Sequence, residues 1–517
     1  MKKQIELAIS PDEINLPEIL LIKSSQNLSL DKEKISSVVP IRKSIDARSR
    51  QIVFRILVDV YFDEKPEQKK SIIYKPIGDN KKVLIVGFGP GGMFAALRLI
   101  ELGIKPIIIE RGKDVQQRRR DIRAIQQDHI VNPDSNYCFG EGGAGAYSDG
   151  KLYTRSTKRG DVNRIIDILI QHGADPEIAI DTHPHIGSNR LPKIVAAIRQ
   201  RILDNGGEIY FNSKVDDFIL KDNKLIGVKI NSQQEMFGDA VILATGHSAR
   251  DIYYLLNKKN IRIEPKPFAM GVRIEHPQAL INEIRYHSKE KHPNLPSAAY
   301  TLVTDVEERG VYSFCMCPGG IIVPAATSPG EIVVNGMSLS KRNSPFANSG
   351  FVVEVTEKEW TKYEHFQPFA ALMLQQELEQ KAFELANQTQ SAPAQRVTDF
   401  VSEKVSSSLP KCSYIPGLTS APLHKELPQF ISSRLRKALF NFDKKMHGYY
   451  TEDAVLVGVE TRTSSPIRIP RDRETLMHTE ISSLFPCGEG AGYAGGIVSA
   501  AIDGENCAAA AKKFLEE

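Results

Sequence analysis

The sequence is poor in the features that mark secreted, membrane-spanning and nucleic-acid-binding proteins. Its six cysteines form no evenly spaced framework and no C-x-x-C pair, which argues against a disulfide-stapled scaffold and favours a reducing compartment. No apolar run reaches the roughly 18 residues of a membrane helix, and the first residues lack the apolar segment of a signal peptide. The net charge of +4 is small for 517 residues. We therefore predict a cytoplasmic protein with neither a membrane nor a nucleic acid as partner.

The sequence also lacks internal repeats and low-complexity tracts. A hydrophobic content of 41% and a charged content of 25% are ordinary for a globular protein. Because 517 residues are too many for one hydrophobic core, we expect roughly two or three domains.

The segment 81–110 contains a dinucleotide-binding pattern. The predicted strand 83–86 leads into G-x-G-x-x-G, a helix is predicted over 93–102, and a second strand over 106–109. In this pattern the first glycine makes a tight turn, the second lets the backbone approach a pyrophosphate, and the third lets helix and strand pack closely. These three positions are Gly87, Gly89 and Gly92.

An acidic residue completes the pattern. Glu110 follows the second strand and lies 110 − 87 = 23 positions after Gly87, close to the roughly 20 expected for a carboxylate that binds the adenosine ribose. NAD and FAD share this arrangement, so the choice between them depends on other parts of the chain.

A glycine-rich segment at 136–155 is predicted to contact the cofactor. Glycine backbone allows close approach of a ligand, and successive N–H groups can bind an anion. Gly142, Gly143 and Lys151 are the candidate contacts in this segment. The alternative is a plain surface loop.

The segment 208–246 favours FAD over NAD as the cofactor. Strands are predicted over 208–211, 215–220 and 225–230, with a hairpin turn at Asp222-Asn223, and a buried strand over 240–243 leads into an A-T-G turn. A plain NAD dehydrogenase would continue with alternating strands and helices instead. His247, next to the turn, is interpreted as a hydrogen-bonded residue behind the cofactor.

The C-terminal segment 484–508 is again rich in glycine. A short apolar run is followed by Gly488-Glu489 and Gly495-Gly496, and a small-residue helix begins at Ile497. We predict that the positive end of this helix faces the isoalloxazine ring and stabilises its reduced, negatively charged form. The alternative is a glycine-rich contact between helices.

Together these segments resemble the FAD-binding half of two-dinucleotide-fold flavoproteins. Three further stretches, at 142–152 (GGAGAYSDGKL), 314–320 (FCMCPGG) and 459–471 (VETRTSSPIRIPR), resemble a bacterial family of uncharacterised FAD-dependent oxidoreductases, often labelled FAD-dependent or NAD-utilising dehydrogenases. The resemblance implies non-covalent FAD and a redox role, but no substrate. It implies FAD contacts at Gly87, Gly89, Gly92, Glu110, Gly142, Gly143, Thr245, Gly246, Gly488 and Glu489.

The terminal acid departs from the wider superfamily, in which it is Asp; the longer side chain of Glu489 can still reach a ribityl hydroxyl. We predict further cofactor contacts beside these motifs, at Arg111, Lys151, Val215, Ala244, Gly495, Gly496 and Ile497.

The predicted fold class is α/β. It combines a Rossmann-like FAD-binding domain of the glutathione-reductase type with an inserted α+β substrate domain and a small N-terminal α+β domain. The predicted domains are 1–76 (N-terminal), 77–261 and 471–517 (the two parts of the FAD-binding domain) and 262–470 (the insertion). Within the insertion, strands are predicted over 321–324 and 332–335 and helices over 358–386 and 430–445.

The candidates for chemistry lie in the insertion. Cys315 and Cys317, at i and i+2 of a strand, would share one face, and their two interpretations are a redox pair and ordinary buried cysteines. Arg273 and Arg462 can clamp an anionic substrate or pair with the nearby Glu275 or Glu460. His276 is interpreted as structural, and no metal site is predicted. The predicted catalytic residues are Arg273, Cys317 and Arg462.

The predicted function is hydride transfer between bound flavin and an unidentified small-molecule substrate. Because a second G-x-G-x-x-G is absent, the reductant is either the substrate itself or NAD(P)H that transiently reaches the same flavin face. One alternative is an RNA- or protein-binding role for the basic segment 42–55, which is otherwise a solvated face. Another is an NAD-dependent dehydrogenase without flavin. The sequence leaves the oligomeric state open.

Overall fold

The computed structural model describes residues 1–49, 51–67, 71–78, 81–154 and 159–517. Its first segment forms an antiparallel sheet in the order β1-β3-β2, with one helix packed on it. The alternating apolar residues of the third strand predict one buried face, and alternate side chains of that strand are indeed buried. The elements are β1 (Lys2–Ile9), α1 (Ile19–Leu28), β2 (Ser37–Asp46) and β3 (Val53–Tyr61).

The second segment alternates helices and strands around a parallel sheet. Its elements are β4 (Lys82–Val86), α2 (Pro90–Glu101), β5 (Lys105–Ile109), α3 (Arg118–Gln127), α4 (Val162–Gln171), α5 (Leu191–Asp204), β6 (Glu208–Tyr210), β7 (Val215–Lys221), β8 (Lys224–Ile230), β9 (Gln234–Phe237), β10 (Ala240–Leu243) and α6 (Arg250–Lys258). Strands β7, β8 and β9 form a separate antiparallel sheet. The predicted hairpin turn is confirmed, since Asp222 and Asn223 join β7 to β8 with φ of 49° and 57°.

The third segment is built on a larger mixed sheet in the order β13-β14-β17-β12-β20-β18-β19, with the hairpin β15-β16 beside it. Its elements are β11 (Glu264–Pro265), β12 (Phe268–Pro277), α7 (Gln278–Tyr286), β13 (Val303–Val306), β14 (Arg309–Cys317), β15 (Gly320–Pro324), β16 (Val334–Ser338), β17 (Phe346–Val355), α8 (Ala370–Leu385), β18 (Ala392–Arg396), α9 (Val397–Val401), β19 (Leu418–Ser420), α10 (Leu423–Glu426), α11 (Gln429–Lys445), β20 (Val455–Glu460) and β21 (Ile467–Arg468).

One helix prediction in this segment is wrong. Instead of a single helix over 358–386, the structure has two short 3-10 helices, Glu357–Glu359 and Thr361–Phe366, followed by α8. Pro368 separates them, because proline lacks the N–H that a continuous helix requires.

The chain returns to the parallel sheet at its end, with β22 (Leu484–Pro486) and α12 (Ile497–Glu516). The sheet has the order β22-β10-β4-β5-β6, and every neighbouring pair in it is parallel. In this sheet β5 lies on one side of β4 and β10 lies on its other side, so the strand order changes direction at β4. In open α/β sheets such a switch point, at the carboxyl ends of the strands, is where ligands bind.

Helix α12 packs directly on α2. A Cβ at Gly504 of α12 would collide with the carbonyl oxygen of Gly91 in α2, so the small residues of the C-terminal helix allow this close approach. Within the described residues, no helix combines the length and the apolar character that crossing a membrane requires.

Candidate cofactor-binding site

A cleft of about 690 Å³ opens at the carboxyl edge of the parallel sheet. Segments far apart in sequence meet around it: 86–91 after β4, 143–145 and 148–151 from the glycine-rich segment, 244–249 after β10, and 487–489 with 495–500 at the C-terminus. The volume lies within the range of ligand sites. The structure therefore brings together the front, middle and tail glycine motifs that the sequence singled out.

The three glycines of the first motif have different surroundings. Gly87 has φ of +101°, and a Cβ there would lie 2.5 Å from the carbonyl oxygen of Ala244. A Cβ at Gly92 would collide with the carbonyl oxygen of Gly87. A Cβ at Gly89, in contrast, would meet only the Cα of Gly143, at 3.8 Å, among the described residues. Protein packing thus requires glycine at the first and third positions, and the second leaves space at the cleft wall.

The helices α2 and α12 both begin at this cleft. Gly89 precedes α2, which starts with Pro90, and Gly496 precedes α12; neither end has a side-chain cap. The first N–H groups of a helix have no partner within it, and the dipole makes this end positive. Both helix starts can therefore bind an anionic or electron-rich part of a ligand.

Glu110 ties three loops together at the end of β5. Its Oε2 accepts a hydrogen bond from the Phe88 N–H (2.8 Å), and its Oε1 accepts from Gly112 N–H (2.9 Å) and Gly140 N–H (3.0 Å). The side chain is buried but lines the cleft. Since a carboxylate has about four acceptor positions, one is left for a ligand hydroxyl.

The cleft near Glu110, which we call the Glu110 end, is bounded by a charge network. The Arg111 guanidinium bonds Asp134 (2.7 Å) and Asp251 (2.9 Å) and lies 4.3 Å above the Phe139 ring. Lys214 also approaches Asp251, at 3.4 Å. Arg111 is thus fixed in the wall rather than free to reach for a ligand. The lining residues here are Glu110, Arg111, Ser213, Lys214, Val215, Asp251 and Ile252; the sequence analysis missed Ser213 and Lys214.

Arg118 is the most important residue that the sequence analysis missed. Its guanidinium is fully buried and donates to the carbonyl oxygens of Asn136, Tyr137, Glu141 and Gly143, at 2.7–2.8 Å. Burial lowers its pKa. These bonds hold the loop in which Gly142 has φ of +79° and donates its N–H to the Phe88 carbonyl at 2.8 Å. The feature of the sequence that could have indicated this role is a basic helix next to a glycine-rich segment.

The opposite part of the cleft, which we call the Cys315 end, is formed by the inserted segment. Tyr312–Cys315 from β14 and Asn335 from β16 line it, together with Thr301, Gly336, Arg462 and Thr463. Lys151 reaches it from the glycine-rich segment, and its Nζ lies 3.7 Å from the Cys315 sulfur. Glu489 also lines the cleft.

The two ends are well separated along the sheet edge. Glu110 follows β5, and Glu489 lies in the loop after β22, three strand positions away in the order β22-β10-β4-β5. At the usual strand spacing this is roughly 14 Å. The cleft is therefore long enough for an extended ligand.

Arg273 is not placed to bind a substrate, so the prediction that it is catalytic is wrong. It is 0% exposed, and its Nη1 bonds Glu460 at 2.6–2.7 Å. Its Nε donates to Asn348 (2.7 Å) and its Nη2 to the Cys315 carbonyl oxygen (2.8 Å). Pairing with Glu460, the alternative interpretation, is what the structure shows, and Arg273 positions Cys315.

Arg462 lines the cleft, but its guanidinium is also committed. Its Nε and Nη2 bond Glu379 (3.0 and 2.7 Å), Nη2 bonds Glu331 (3.0 Å) and Nη1 bonds Thr327 (2.6 Å). Arg250 shares the same two carboxylates. Arg462 thus belongs to a buried network whose partners lie more than 80 positions away along the chain, and its catalytic role stays a prediction.

The cysteine prediction named Cys317, the member of the pair that lies behind the cleft wall. Cys317 is 0% exposed, and of the described residues that line the cleft, Cys315 is one and Cys317 is not. The reason is a bulge: the pairing of β14 with β17 shifts between Phe314 and Cys317, and Cys315 has φ of +45°. The regular alternation that the i, i+2 spacing predicts is interrupted there.

Two titratable groups face each other across the sheet edge. Burial, with the nearby Cys315, raises the pKa of Glu489 to about 7. Burial lowers the pKa of His247 to about 4, and its Nε2 lies 3.9 Å from a Glu489 carboxylate oxygen. The His247 Nδ1 lies 3.0 Å from the Ser248 hydroxyl. Near neutral pH, His247 is uncharged, and Glu489 can give up or take a proton.

A cluster of Cys487, Asp503 and Cys507 brings its potential ligand atoms within 4.8 Å of one another. An arginine already occupies it, since Arg471 donates to Asp503 at 2.6 and 3.0 Å and lies 3.5 Å from the Cys507 sulfur. Asp503 also accepts from the Gly488 N–H at 2.7 Å. The cluster thus holds the turn at Gly488 in place, and its guanidinium disfavours a cation.

Two family models match parts of this chain. A model described as "FAD-dependent protein, C-terminal domain-like" matches residues 267–463, and a model of a domain of unknown function matches residues 1–61. An uncharacterized protein of Clostridium beijerinckii is 40% identical and covers 96% of this chain and 97% of its own. A thiamine thiazole synthase of Aeropyrum pernix is 26% identical over 29% of this chain and 43% of its own.

Solved structures align more loosely. A geranylgeranyl bacteriochlorophyll reductase-like protein of Thermoplasma acidophilum aligns over 85% of this chain and 79% of its own, with 13% identity and a TM-score of 0.36.

Proposed function

The chain belongs to a family of FAD-dependent oxidoreductases, and we propose that its FAD lies extended in the cleft from the Glu110 end to the Cys315 end. The observation that carries this proposal is the convergence of the three glycine motifs on one cleft at the switch point of the parallel sheet. This arrangement also supports a fold of the glutathione-reductase type, in which 77–261 and 471–517 build the FAD-binding domain around the insertion 262–470, with 1–76 as a separate N-terminal domain.

The residues of the cleft suit the parts of FAD. The pyrophosphate would lie against Gly89 and the start of α2, where unpaired N–H groups meet an open wall. Glu110 has one acceptor position for a ribose hydroxyl, and the adenosine would lie beside Ser213, Lys214 and Val215. Gly142, held by its bond to Phe88, shapes the loop whose next residue, Gly143, lines the wall.

The flavin ring would lie at the other end, beside the start of α12. A Cβ at Gly495 or Gly496 would meet no atom of the described residues within 4 Å, so this turn leaves room for a flat ring. Ala244, Thr245 and Gly246 form the wall between the two ends. Ile497, Lys151 and Glu489 complete this part of the site.

We propose hydride transfer between the flavin and a small-molecule substrate that enters beside the insertion. Bound FAD supplies the ability to accept or donate a hydride. The chain positions the two reactants, and the Glu489 carboxylate exchanges a proton with the substrate, since its pKa of about 7 suits a general acid or base. We retain NAD(P)H as a candidate reductant and the cytoplasm as the proposed location.

The absorption spectrum tests the cofactor assignment. We expect a yellow protein that releases FAD on denaturation, because nothing in the proposal requires a covalent link. A colourless protein that binds NAD would support the flavin-free dehydrogenase instead. Anaerobic mixing with NADH, NADPH and a panel of metabolites then identifies the reductant, and the rate of reoxidation in air separates an oxidase from a dehydrogenase with another acceptor.

The basic segment 42–55 does not favour a second function. Arg42 and Arg55 lie 3.8 and 3.6 Å from Glu6, and Arg48 pairs with Asp46 at 2.7 Å. Arg50 lies outside the described residues. Because these charges are largely neutralised by neighbouring carboxylates, we do not carry an RNA-binding or protein-binding role forward.

A further inference from the structure

We propose that Cys315 and Cys317 form a redox-active thiol pair, which converts between dithiol and disulfide by exchanging electrons with the bound FAD. This inference rests on the proposed function, because it requires the flavin to lie at the Cys315 end. We call these two residues the thiol pair. Both are free thiols in the structure.

The two sulfurs share one cation at the cleft. The Lys151 Nζ lies 3.7 Å from the Cys315 sulfur and 3.7 Å from the Cys317 sulfur. Arg273 approaches the Cys317 sulfur from the protein side, at 3.6 Å. Cys315 lines the cleft and Cys317 lies behind it, so a ligand in the cleft can reach the Cys315 sulfur, whereas the Cys317 sulfur is enclosed by protein.

The backbone of β14 is distorted at this point. Phe314 pairs with Gly350 and Cys317 with Asn348, so Cys315 and Met316 together oppose the single residue Ser349. Such a bulge re-aims a side chain, and a non-glycine residue at positive φ is held there only when its surroundings impose it. Arg273 supplies part of that constraint through its 2.8 Å bond to the Cys315 carbonyl.

The charge distribution separates the roles of the two sulfurs. A hydrogen bond from Cys317 lowers the pKa of the Cys315 thiol well below its ordinary value, and the charges of Lys151 and Arg273 act in the same direction against burial. The same hydrogen bond and burial raise the pKa of Cys317. These directions favour Cys315, the sulfur that lines the cleft, as the member of the pair that loses its proton more readily, and a thiolate is the reactive form of cysteine.

The redox step balances without a further reagent. In the oxidising direction the Cys315 thiolate and the Cys317 thiol lose two electrons and one proton, and an S–S bond forms between them. These two electrons and one proton would be taken up by bound oxidised FAD, which balances the step. In the reverse direction the S–S bond breaks, Cys315 leaves as the thiolate and Cys317 takes the proton.

The first test counts electrons rather than turnover. The holoprotein is oxidised with diamide, desalted and titrated anaerobically with dithionite while the flavin absorbance is followed. We expect complete bleaching of wild type to need two two-electron equivalents per FAD, and that of Cys315→Ser to need one. Cys412→Ser, whose thiol lies outside the cleft lining, should need two like wild type. One equivalent for the wild type would overturn the proposal.

Mass spectrometry gives an independent readout. Trypsin cleavage after Arg309 and Lys341 releases residues 310–341, whose cysteines are Cys315 and Cys317. After diamide oxidation this peptide should resist alkylation and weigh two hydrogens less than the dithiol; dithionite in the presence of bound FAD should restore both thiols. Alkylation of both cysteines in the oxidised protein would contradict the proposal.

A third measurement applies even if the cysteine variants do not fold. The rate of iodoacetamide labelling of Cys315 is measured as a function of pH. Its midpoint should lie below the pKa of roughly 8.5 of a free thiol. Lys151→Met should move this midpoint upward, and Lys151→Arg should restore it. An unchanged midpoint in Lys151→Met would contradict the role given to the lysine. A colourless protein would refute the proposed function, whereas a yellow protein with an inert thiol pair would refute only this inference.

Discussion

At the Glu110 end two buried charged side chains bind main-chain atoms of the surrounding loops, whereas at the Cys315 end the buried charged side chains bind one another. Glu110 binds backbone N–H groups of three loops, and Arg118 binds four carbonyl oxygens. At the other end Arg273 and Arg462 bind carboxylates of distant elements. We infer that the first end forms a general nucleotide cradle, and that the second end carries the chemistry.

The largest effect is expected at the Cys315 end. Arg273→Met would leave Glu460 buried without its partner, and breaking a buried pair in this way costs about 3–5 kcal/mol of unfolding free energy. The double variant Arg273→Met/Glu460→Met should recover most of this loss. Chemical denaturation measures the unfolding free energy of the single and of the double variant. A loss below about 1 kcal/mol in the single variant would mean that the ion pair does not support this end.

Arg118→Lys tests the Glu110 end by the same measurement. Lysine offers three donors on a compact head and cannot span four carbonyl oxygens, so we expect a loss of about 2–3 kcal/mol and weaker FAD binding. Arg123→Lys is the matched control, because Arg123 is an exposed residue of the same helix. Equal stability of the two variants would show that the buried guanidinium is dispensable.

The glycines of the first motif should separate folding from binding. Gly87→Ala places a Cβ against the Ala244 backbone at positive φ, and should cost about 2–3 kcal/mol. Gly89→Ala should cost less than about 1 kcal/mol, because its Cβ has room, but should weaken FAD binding at least about tenfold. Thermal unfolding of the apoprotein measures the loss of stability in each variant, and FAD titration measures the loss of affinity. Unchanged FAD affinity in Gly89→Ala would argue against a pyrophosphate at this position.

The smallest effect concerns the pH dependence of stability. The pKa of Glu489 is raised to about 7 in the folded state, so the folded protein holds a proton that the unfolded chain releases at lower pH. The stabilisation that this proton provides is therefore fully present below the pKa of Glu489 in the unfolded chain. It is lost as the pH rises towards the folded-state pKa of about 7. Apoprotein stability should fall between pH 5 and 8 by about 1 kcal/mol more in the wild type than in Glu489→Gln. Parallel pH profiles would contradict the raised pKa.

The sequence predicted the parts of the molecule that depend on local backbone geometry. The strand, turn and helix around Gly87 to Gly92, the hairpin turn at Asp222 and the start of the C-terminal helix at Ile497 are confirmed. The family prediction is confirmed as well. Each of these structural features has its cause within a few neighbouring residues: a short apolar run, or a glycine, aspartate or asparagine that a turn requires.

The parts that the sequence did not predict depend on partners far away along the chain. Arg273 and Glu460 lie 187 positions apart, and the Lys151 Nζ and the Cys317 sulfur 166. The bulge at Cys315 arises only when β14 pairs with β17, so no local sequence pattern predicts it. For this reason the sequence drew attention to both cysteines but did not predict that Cys315, rather than Cys317, lines the cleft.

A crystal structure of the yellow holoprotein tests the central claim most directly. We predict a single FAD in the cleft, with its adenosine beside Glu110, its pyrophosphate at the start of α2 and its isoalloxazine ring within contact distance of the Cys315 sulfur. FAD bound outside this cleft, or in the reverse orientation with the ring beside Glu110, would contradict the account.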